Sequence, residues 1–204
     1  MGRGAYGLAR VAVIVRAPAG WLWWPGLLAA GIGLLVPGLT GRRVGLATGV
    51  VLLVVAALVA FGVRRRRYTG FTRAASRAAK MVVLQDRAVT LRQWRRGRRW
   101  WLLLAFLAAV ASAFAVPAAG GLLMAGFGVG LWAKSLWLGR WERRHETLLW
   151  VRPEWAARRG PVGPDVRGFL TTGLAAGDAA PGGGRARSTT PPSRAAGSTA
   201  PRRA

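Results

Sequence analysis

The sequence predicts an all-α integral membrane protein. We expect four transmembrane helices arranged as two hairpins, a basic cytoplasmic amphipathic helix between the hairpins, and a disordered C-terminal tail. Two observations support this fold class. The chain is 52% hydrophobic and yet has a formal net charge of +25. These properties are segregated, because uncharged apolar runs close to the ~20 residues of a membrane-spanning helix alternate with arginine-rich stretches.

The chain begins with a basic arm, residues 1–20, in which Arg3, Arg10 and Arg16 surround a short apolar patch. Arg16 interrupts this patch too early for a membrane span. A cleaved signal peptide is the competing interpretation. It is disfavoured because no small-residue cleavage site precedes a soluble domain, and we therefore expect a cytoplasmic arm.

The first hairpin is predicted at residues 21–63, with spans at about 21–39 and 44–63. Pro25 falls in the first turn of its helix, where a missing N–H costs little, and Pro37 ends that helix. The second span has no charged residue and twelve Val, Leu or Phe residues. On the insertion scale these contribute about −4 to −7 kcal/mol, which is ample for membrane insertion.

The central segment, residues 64–99, carries 13 basic residues and one acid, Asp86. We predict a helix over residues 68–94 that has a basic stripe opposite an apolar face led by Phe71, a pattern typical of helices that lie on anionic membranes. The predicted lipid- or polyanion-binding residues are Arg64, Arg65, Arg66, Arg67, Arg73, Arg77, Lys80, Arg87, Arg95, Arg96, Arg98 and Arg99.

The second hairpin is predicted at residues 100–138, with spans at about 100–116 and 122–138 joined by an uncharged turn. The spans at 44–63 and 122–138 each contain a GxxxG pattern, in which two glycines one helical turn apart let helices approach closely. Packing within the monomer is the favoured interpretation, and an oligomer interface or chance are the alternatives. The predicted helix-packing glycines are Gly45, Gly49, Gly126 and Gly130.

Lys134 is the one ionisable residue well inside a predicted span, and an intramembrane charge is a functional-site hypothesis. Because it lies near the cytoplasmic end, we expect its side chain to snorkel to the headgroups. No Asp, Glu or His falls within a predicted span. This argues against a proton-coupled carrier, an intramembrane metal site and an intramembrane protease.

The segment after the last span is predicted to be a juxtamembrane Trp/Arg-rich helix over residues 139–159. Glu142 and His145 have the spacing of half a carboxylate–metal motif, but the second half is absent, so we expect an exposed helix face. Residues 160–204 are rich in Gly, Pro, Ser and Thr, and we predict a disordered basic tail.

Loop charge predicts the orientation. The N-terminal arm has three basic residues, the central segment 13 and residues from 139 onward 12, whereas the other side has only Arg42 and Arg43. Both termini are therefore expected in the cytoplasm. Arginine outnumbers lysine 29 to 2, which is typical of a GC-rich bacterial genome and indicates the bacterial inner membrane.

No catalytic residue, cofactor or metal ligand set is predicted. The chain has no cysteine, and no P-loop, dinucleotide fingerprint or nucleophile elbow is found. The leading prediction is a non-enzymatic membrane accessory or scaffold protein. Its basic cytoplasmic face would contact anionic inner-leaflet lipid, an acidic protein or nucleic acid, and a homo-oligomer is a further expectation.

Two alternative functions stay open. Small basic multi-span proteins with disordered tails are similar in outline to the spread proteins of mycelial conjugative plasmids, which suggests a component of a DNA-transfer apparatus. That resemblance is one of composition and implies no site residue. An oligomeric pore or holin-like protein is the other alternative, although the predicted spans lack a polar stripe for a water-filled lumen.

Overall fold

The computed structural model describes residues 7–36, 38–79, 83–156, 160–174, 176 and 178–185. The described chain is mostly helical, with a small β-sheet. The helices are α1 (Val11–Leu35), α2 (Arg42–Gly62), α3 (Arg65–Arg73), α4 (Arg87–Ala111), α5 (Ala119–Arg144) and α6 (Pro153–Ala156). The strands are β1 (Gly7–Arg10), β2 (Ser76–Arg77), β3 (Val83–Leu84), β4 (Thr147–Val151) and β5 (Leu170–Gly173).

Four helices are long and apolar enough to cross a membrane, as the hydropathy pattern predicts. They are α1, α2 with its continuation α3, α4 with a short 3-10 turn after it, and α5. Two of them begin well before the predicted spans, at Val11 and at Arg87. In α4 the early part is arginine-rich, and arginine is a good helix former that hydropathy does not count. In α1 the early part is the apolar patch at residues 11–15, and neither Arg16 nor Pro18 ends the helix.

Helix α5 is the centre of the bundle, because it packs along both α1 and α2. Helix α4 packs mainly on α1 and more lightly on α5. Thus α5, which belongs to the second predicted hairpin, lies between α1 and α2, the two helices of the first predicted hairpin. At the end of the bundle where α1 ends and α2 begins, the α1–α2 loop is hydrogen-bonded to the 3-10 turn after α4. The Leu39 N–H donates to the Phe114 carbonyl oxygen at 3.2 Å.

The four glycines of the GxxxG patterns lie in one interface within the chain, between α2 and the α5 region. A Cβ on Gly45 would lie 2.6 Å from the Pro117 carbonyl oxygen, and one on Gly49 would lie 2.6 Å from Leu122 Cδ1. On α5, a Cβ on Gly126 or Gly130 would overlap the α2 backbone. Glycine at 126 and 130 therefore allows the α5 and α2 backbones to touch, and glycine at 45 and 49 leaves room for Pro117 and Leu122.

The small sheet corrects the all-α prediction. Its strand order is β2-β5-β4-β1-β3, with antiparallel pairs at the centre and parallel pairs at both edges. Strand β1 runs straight into α1, and β4 follows α5 after a turn at Glu146, whose φ is 52°. The sheet therefore closes the end of the bundle at which α1 begins and α5 ends. We call the sheet with α3, α6 and the residues packed on them the cap.

The predicted helix over residues 68–94 is wrong. Helix α3 ends at Arg73, two short strands follow, and α4 begins at Arg87. Backbone pairing overrides the helical spacing here, since Ser76 pairs with Leu170 and the Gln85 N–H donates to the Leu8 carbonyl oxygen. The predicted juxtamembrane helix over 139–159 is wrong for the same reason, because β4 occupies its middle.

The described part of the tail is more ordered than predicted, and the predicted N-terminal arm is part of the fold. The described part of the arm forms β1 and the first turns of α1. In the predicted disordered tail, Val162, Val166 and Phe169 are buried against Val11 and Leu149 in the cap core. A few large apolar side chains are enough to fix a segment that is otherwise rich in glycine and proline. Residues 186–204 lie outside the described residues.

Candidate functional site

The most prominent surface feature is a set of exposed arginines at the cap end of the bundle, which we call the basic rim. Its members follow α2, continue along α3 into β2, and occupy the first half of α4. The rim consists of Arg64, Arg65, Arg66, Arg67, Arg73, Arg77, Arg92, Arg95, Arg96 and Arg99. Arg98 is half-buried among them.

Several rim guanidinium groups lie over aromatic rings. Arg65 Cζ is 5.0 Å from the centroids of both Phe61 and Trp137, and Arg95 Cζ is 5.1 Å from that of Trp21. A guanidinium that stacks on an aromatic face keeps its N–H donors available at its edge. The rim thus presents oriented donors next to rings that favour the headgroup level of a bilayer.

The predicted basic stripe is not formed. Arg73 ends α3, Arg77 is in β2 and Arg87 begins α4, while Lys80 lies outside the described residues. Arg87 is half-buried and holds the cap together, because its backbone N–H donates to the Asp178 carboxylate at 3.0 Å and its Nε donates to the Gly183 carbonyl oxygen at 3.2 Å.

A buried ion pair at the centre of the cap was not predicted. Arg10 Nη2 donates to Glu142 Oε2 at 3.3 Å, and the two residues are 2% and 0% exposed. The carboxylate also accepts the N–H of Leu149 at 3.2 Å and that of Gly182 at 2.8 Å. Arg10 Nη1 donates to the Ala179 carbonyl oxygen. This pair connects β1, α5, β4 and the segment around residue 180.

The expectation that Glu142 lies on an exposed helix face is therefore wrong, although His145 is exposed and stacks on Trp141 at 4.1 Å. Burial lowers the pKa of the Arg10 guanidinium, and the Glu142 carboxylate beside it opposes this shift. The sequence did contain a sign that Glu142 is paired with a basic residue. Glu142 is one of only six acidic residues in the chain, and it lies on a helix end rich in Arg and Trp.

Lys134 does not snorkel to the headgroups. It is 5% exposed, its Nζ donates to the Val63 carbonyl oxygen at 2.8 Å, and the ammonium lies 5.6 Å from the Tyr68 ring centroid. The carbonyl oxygens of the last turn of a helix have no partners within the helix, so a buried ammonium there acts as a cap. Lys134 therefore joins α5 to the end of α2.

The fold and the rim define a class: a protein with four helices that could span a membrane and with a small mixed sheet at the arginine-rich end. Within the described ranges, no three His, Asp or Glu side chains come close enough together to hold a metal ion. Comparison of the chain with protein-family models, curated proteins and solved structures gives no match.

Proposed function

We propose that this is a non-enzymatic integral protein of the bacterial inner membrane, with both termini in the cytoplasm. In this proposal it acts as an accessory or scaffold protein whose basic rim contacts anionic headgroups of the inner leaflet. The observation that carries the proposal is the division of its surface into an exposed arginine rim at the cap end and exposed apolar helix sides beside it.

The apolar sides support a lipid environment. On α2, Val51 and Leu58 are 61% and 64% exposed, and on α4, Trp101 and Leu104 are 73% and 55% exposed. Exposed apolar surface of this extent is unfavourable in water and favourable in hydrocarbon. The rim lies at one end of these faces, where each basic residue near an anionic leaflet contributes about 1 kcal/mol.

The proposed orientation predicts which loops are accessible from outside. Because the chain has no cysteine, Thr40→Cys and Ser76→Cys each introduce a single thiol, and both positions are exposed. In intact cells an impermeant maleimide should label Thr40→Cys, whereas Ser76→Cys should react only after lysis. Labelling of Ser76→Cys in intact cells would place the cap outside and refute the orientation.

The rim predicts local enrichment of anionic lipid. We expect polymer-bounded discs, extracted from vesicles of phosphatidylglycerol and phosphatidylcholine, to contain a higher phosphatidylglycerol fraction than the vesicles. The triple variant Arg65→Gln, Arg66→Gln, Arg67→Gln should reduce this enrichment. The matched triple variant to lysine keeps the charge and should retain it. Discs of the wild-type protein with the same composition as the vesicles would contradict the proposal.

A DNA-binding measurement distinguishes the DNA-transfer alternative from the proposed contact with lipid. Nucleic acid offers the rim the same negative charge without an apolar phase, and its binding should weaken steeply with salt. Titration of labelled DNA into the detergent-solubilised protein measures this directly. Tight DNA binding that the glutamine triple variant removes, without lipid enrichment in discs, would favour the DNA-transfer function.

A further inference from the structure

A groove of about 1260 Å³ runs between α1 and α4 on the outer side of the bundle. This exceeds the ~300–1,000 Å³ of typical small-molecule sites. Its lining is apolar over most of its length and basic at one end. The lining residues that decide its chemistry are Trp21 and Leu28 on α1 and Arg95, Arg96, Arg99 and Leu103 on α4.

The basic end is formed by three arginines on the first half of α4. Arg95, Arg96 and Arg99 are exposed, and none of them forms a salt bridge with a described residue. The Arg95 guanidinium lies over Trp21 of α1, so it spans the mouth of the groove from one helix to the other. Guanidinium groups without an acidic partner at one end of a groove favour the binding of a phosphate there.

The apolar part of the groove is open towards the side of the bundle. Leu28 of α1 and Leu103 of α4 both line it and are 61% and 45% exposed, and Phe106 lies further along α4. These side chains would expose apolar surface unless something covers them. An acyl chain is the cover that matches their chemistry.

The basic end of the groove lies at the depth that a lipid headgroup requires. From Trp21 to the end of α1 at Leu35, and from Trp100 to the end of the 3-10 turn at Phe114, each helix rises about 21–22 Å. Both segments are somewhat shorter than the ~30 Å hydrocarbon core. From Arg95 to Phe114, however, the chain rises about 30 Å, so Arg95 lies at headgroup level when Phe114 reaches the other side, and the long side chains of Arg96 and Arg99 can extend to the same level.

We propose that this groove is a binding site for one anionic phospholipid of the inner leaflet. Its phosphate contacts Arg95, Arg96 and Arg99, and one acyl chain lies against Leu28 and Leu103. Charge complementarity selects this occupant over a neutral lipid. The inference deepens the proposed function, because it assigns one defined site within a rim that otherwise attracts lipid through its overall charge.

The test is native mass spectrometry of the full-length protein in detergent, with phosphatidylglycerol and phosphatidylcholine as separate probes. Wild-type protein should retain one phosphatidylglycerol at low lipid concentration, with about tenfold or greater preference over phosphatidylcholine. The triple variant Arg95→Gln, Arg96→Gln, Arg99→Gln should lose that preference. The corresponding triple variant to lysine keeps the charge and should retain most of it.

A second pair of variants tests the apolar part. Leu28→Trp with Leu103→Trp fills the groove and should release the bound lipid, whereas Leu58→Trp on the exposed side of α2 should not. Thermal unfolding and monodispersity of each variant establish that it is folded. If the filled variant unfolds, Leu103→Trp alone replaces it, because one ring still obstructs the chain.

The outcomes separate this inference from the proposed function. Equal retention of both lipids, or equal loss in the glutamine triple variant at Arg65, Arg66 and Arg67, would overturn the groove site. Lipid enrichment in discs would then leave the proposed function in place. A change from dimer to monomer on filling the groove, with lipid retention unchanged, would assign the groove to a second copy of the chain and also overturn the inference.

Discussion

Glu142→Ala should reduce the free energy of unfolding by about 3–5 kcal/mol, because it leaves the Arg10 guanidinium buried without its counter-charge. The loss also removes the acceptor for the N–H groups of Leu149 and Gly182. Thermal unfolding in detergent should show a large fall in melting temperature. Limited proteolysis should show faster cleavage after β4, since the segment around residue 180 is held by the same carboxylate.

Glu154→Ala is the matched control, because Glu154 is an exposed acid in α6. Its effect should stay within about 0.5 kcal/mol. Adding Arg10→Met to Glu142→Ala should recover part of the loss, since the unpaired charge is then gone while the two backbone N–H groups still lack their acceptor. If Glu142→Ala and Glu154→Ala have the same melting temperature, the ion pair does not stabilise the cap.

Gly126→Leu should force α2 and α5 apart and strongly reduce the free energy of unfolding. Even the first carbon of a side chain at Gly126 would overlap the Leu53 backbone, and its Cβ would lie 2.8 Å from Leu53 Cα. Alanine at this position should cost about 1–3 kcal/mol, and leucine more, because two rigid helix backbones must move apart. Thermal unfolding in detergent measures both variants.

Gly31→Ala is the control for this substitution, since a Cβ at Gly31 meets nothing within 4 Å. Alanine there should be neutral or stabilising by up to about 1 kcal/mol through its helix propensity. The oligomer interpretation of the glycine pattern predicts a different result. If Gly126 faced another copy of the chain, Gly126→Leu would lower the mass of the detergent complex without lowering its melting temperature.

The four long helices were predictable because hydropathy is a local property of the sequence. Each apolar run is uninterrupted for most of a membrane thickness, and nothing in the tertiary structure changes that. The exposure of most rim arginines was predictable for the same reason. Their arrangement was not, because it depends on where the backbone turns after Arg73 and again before Arg87.

The cap could not be predicted because its contacts join distant parts of the chain. Arg10 and Glu142 are 132 residues apart, and Arg10 and Ala179 are 169 apart. Two of the strands are only two residues long, so they have no periodicity to detect. Strand β4 was the one detectable strand, since Thr147–Val151 is apolar and partly β-branched. It was interpreted as helix because it directly follows one.

The position of β1 at the very start of the fold has a consequence for the order of assembly. During synthesis β1 and Arg10 precede the four long helices, but their main partners come late, because Glu142 lies near the end of the last long helix, α5, and β4 follows it. Until then β1 can pair only with β3, so its other edge is unpaired, and burial of Arg10 without its carboxylate partner is unfavourable. Complete pairing of β1 therefore requires that all four long helices have been synthesised. A nascent chain that stops before Thr147 keeps that edge open to proteases and chaperones.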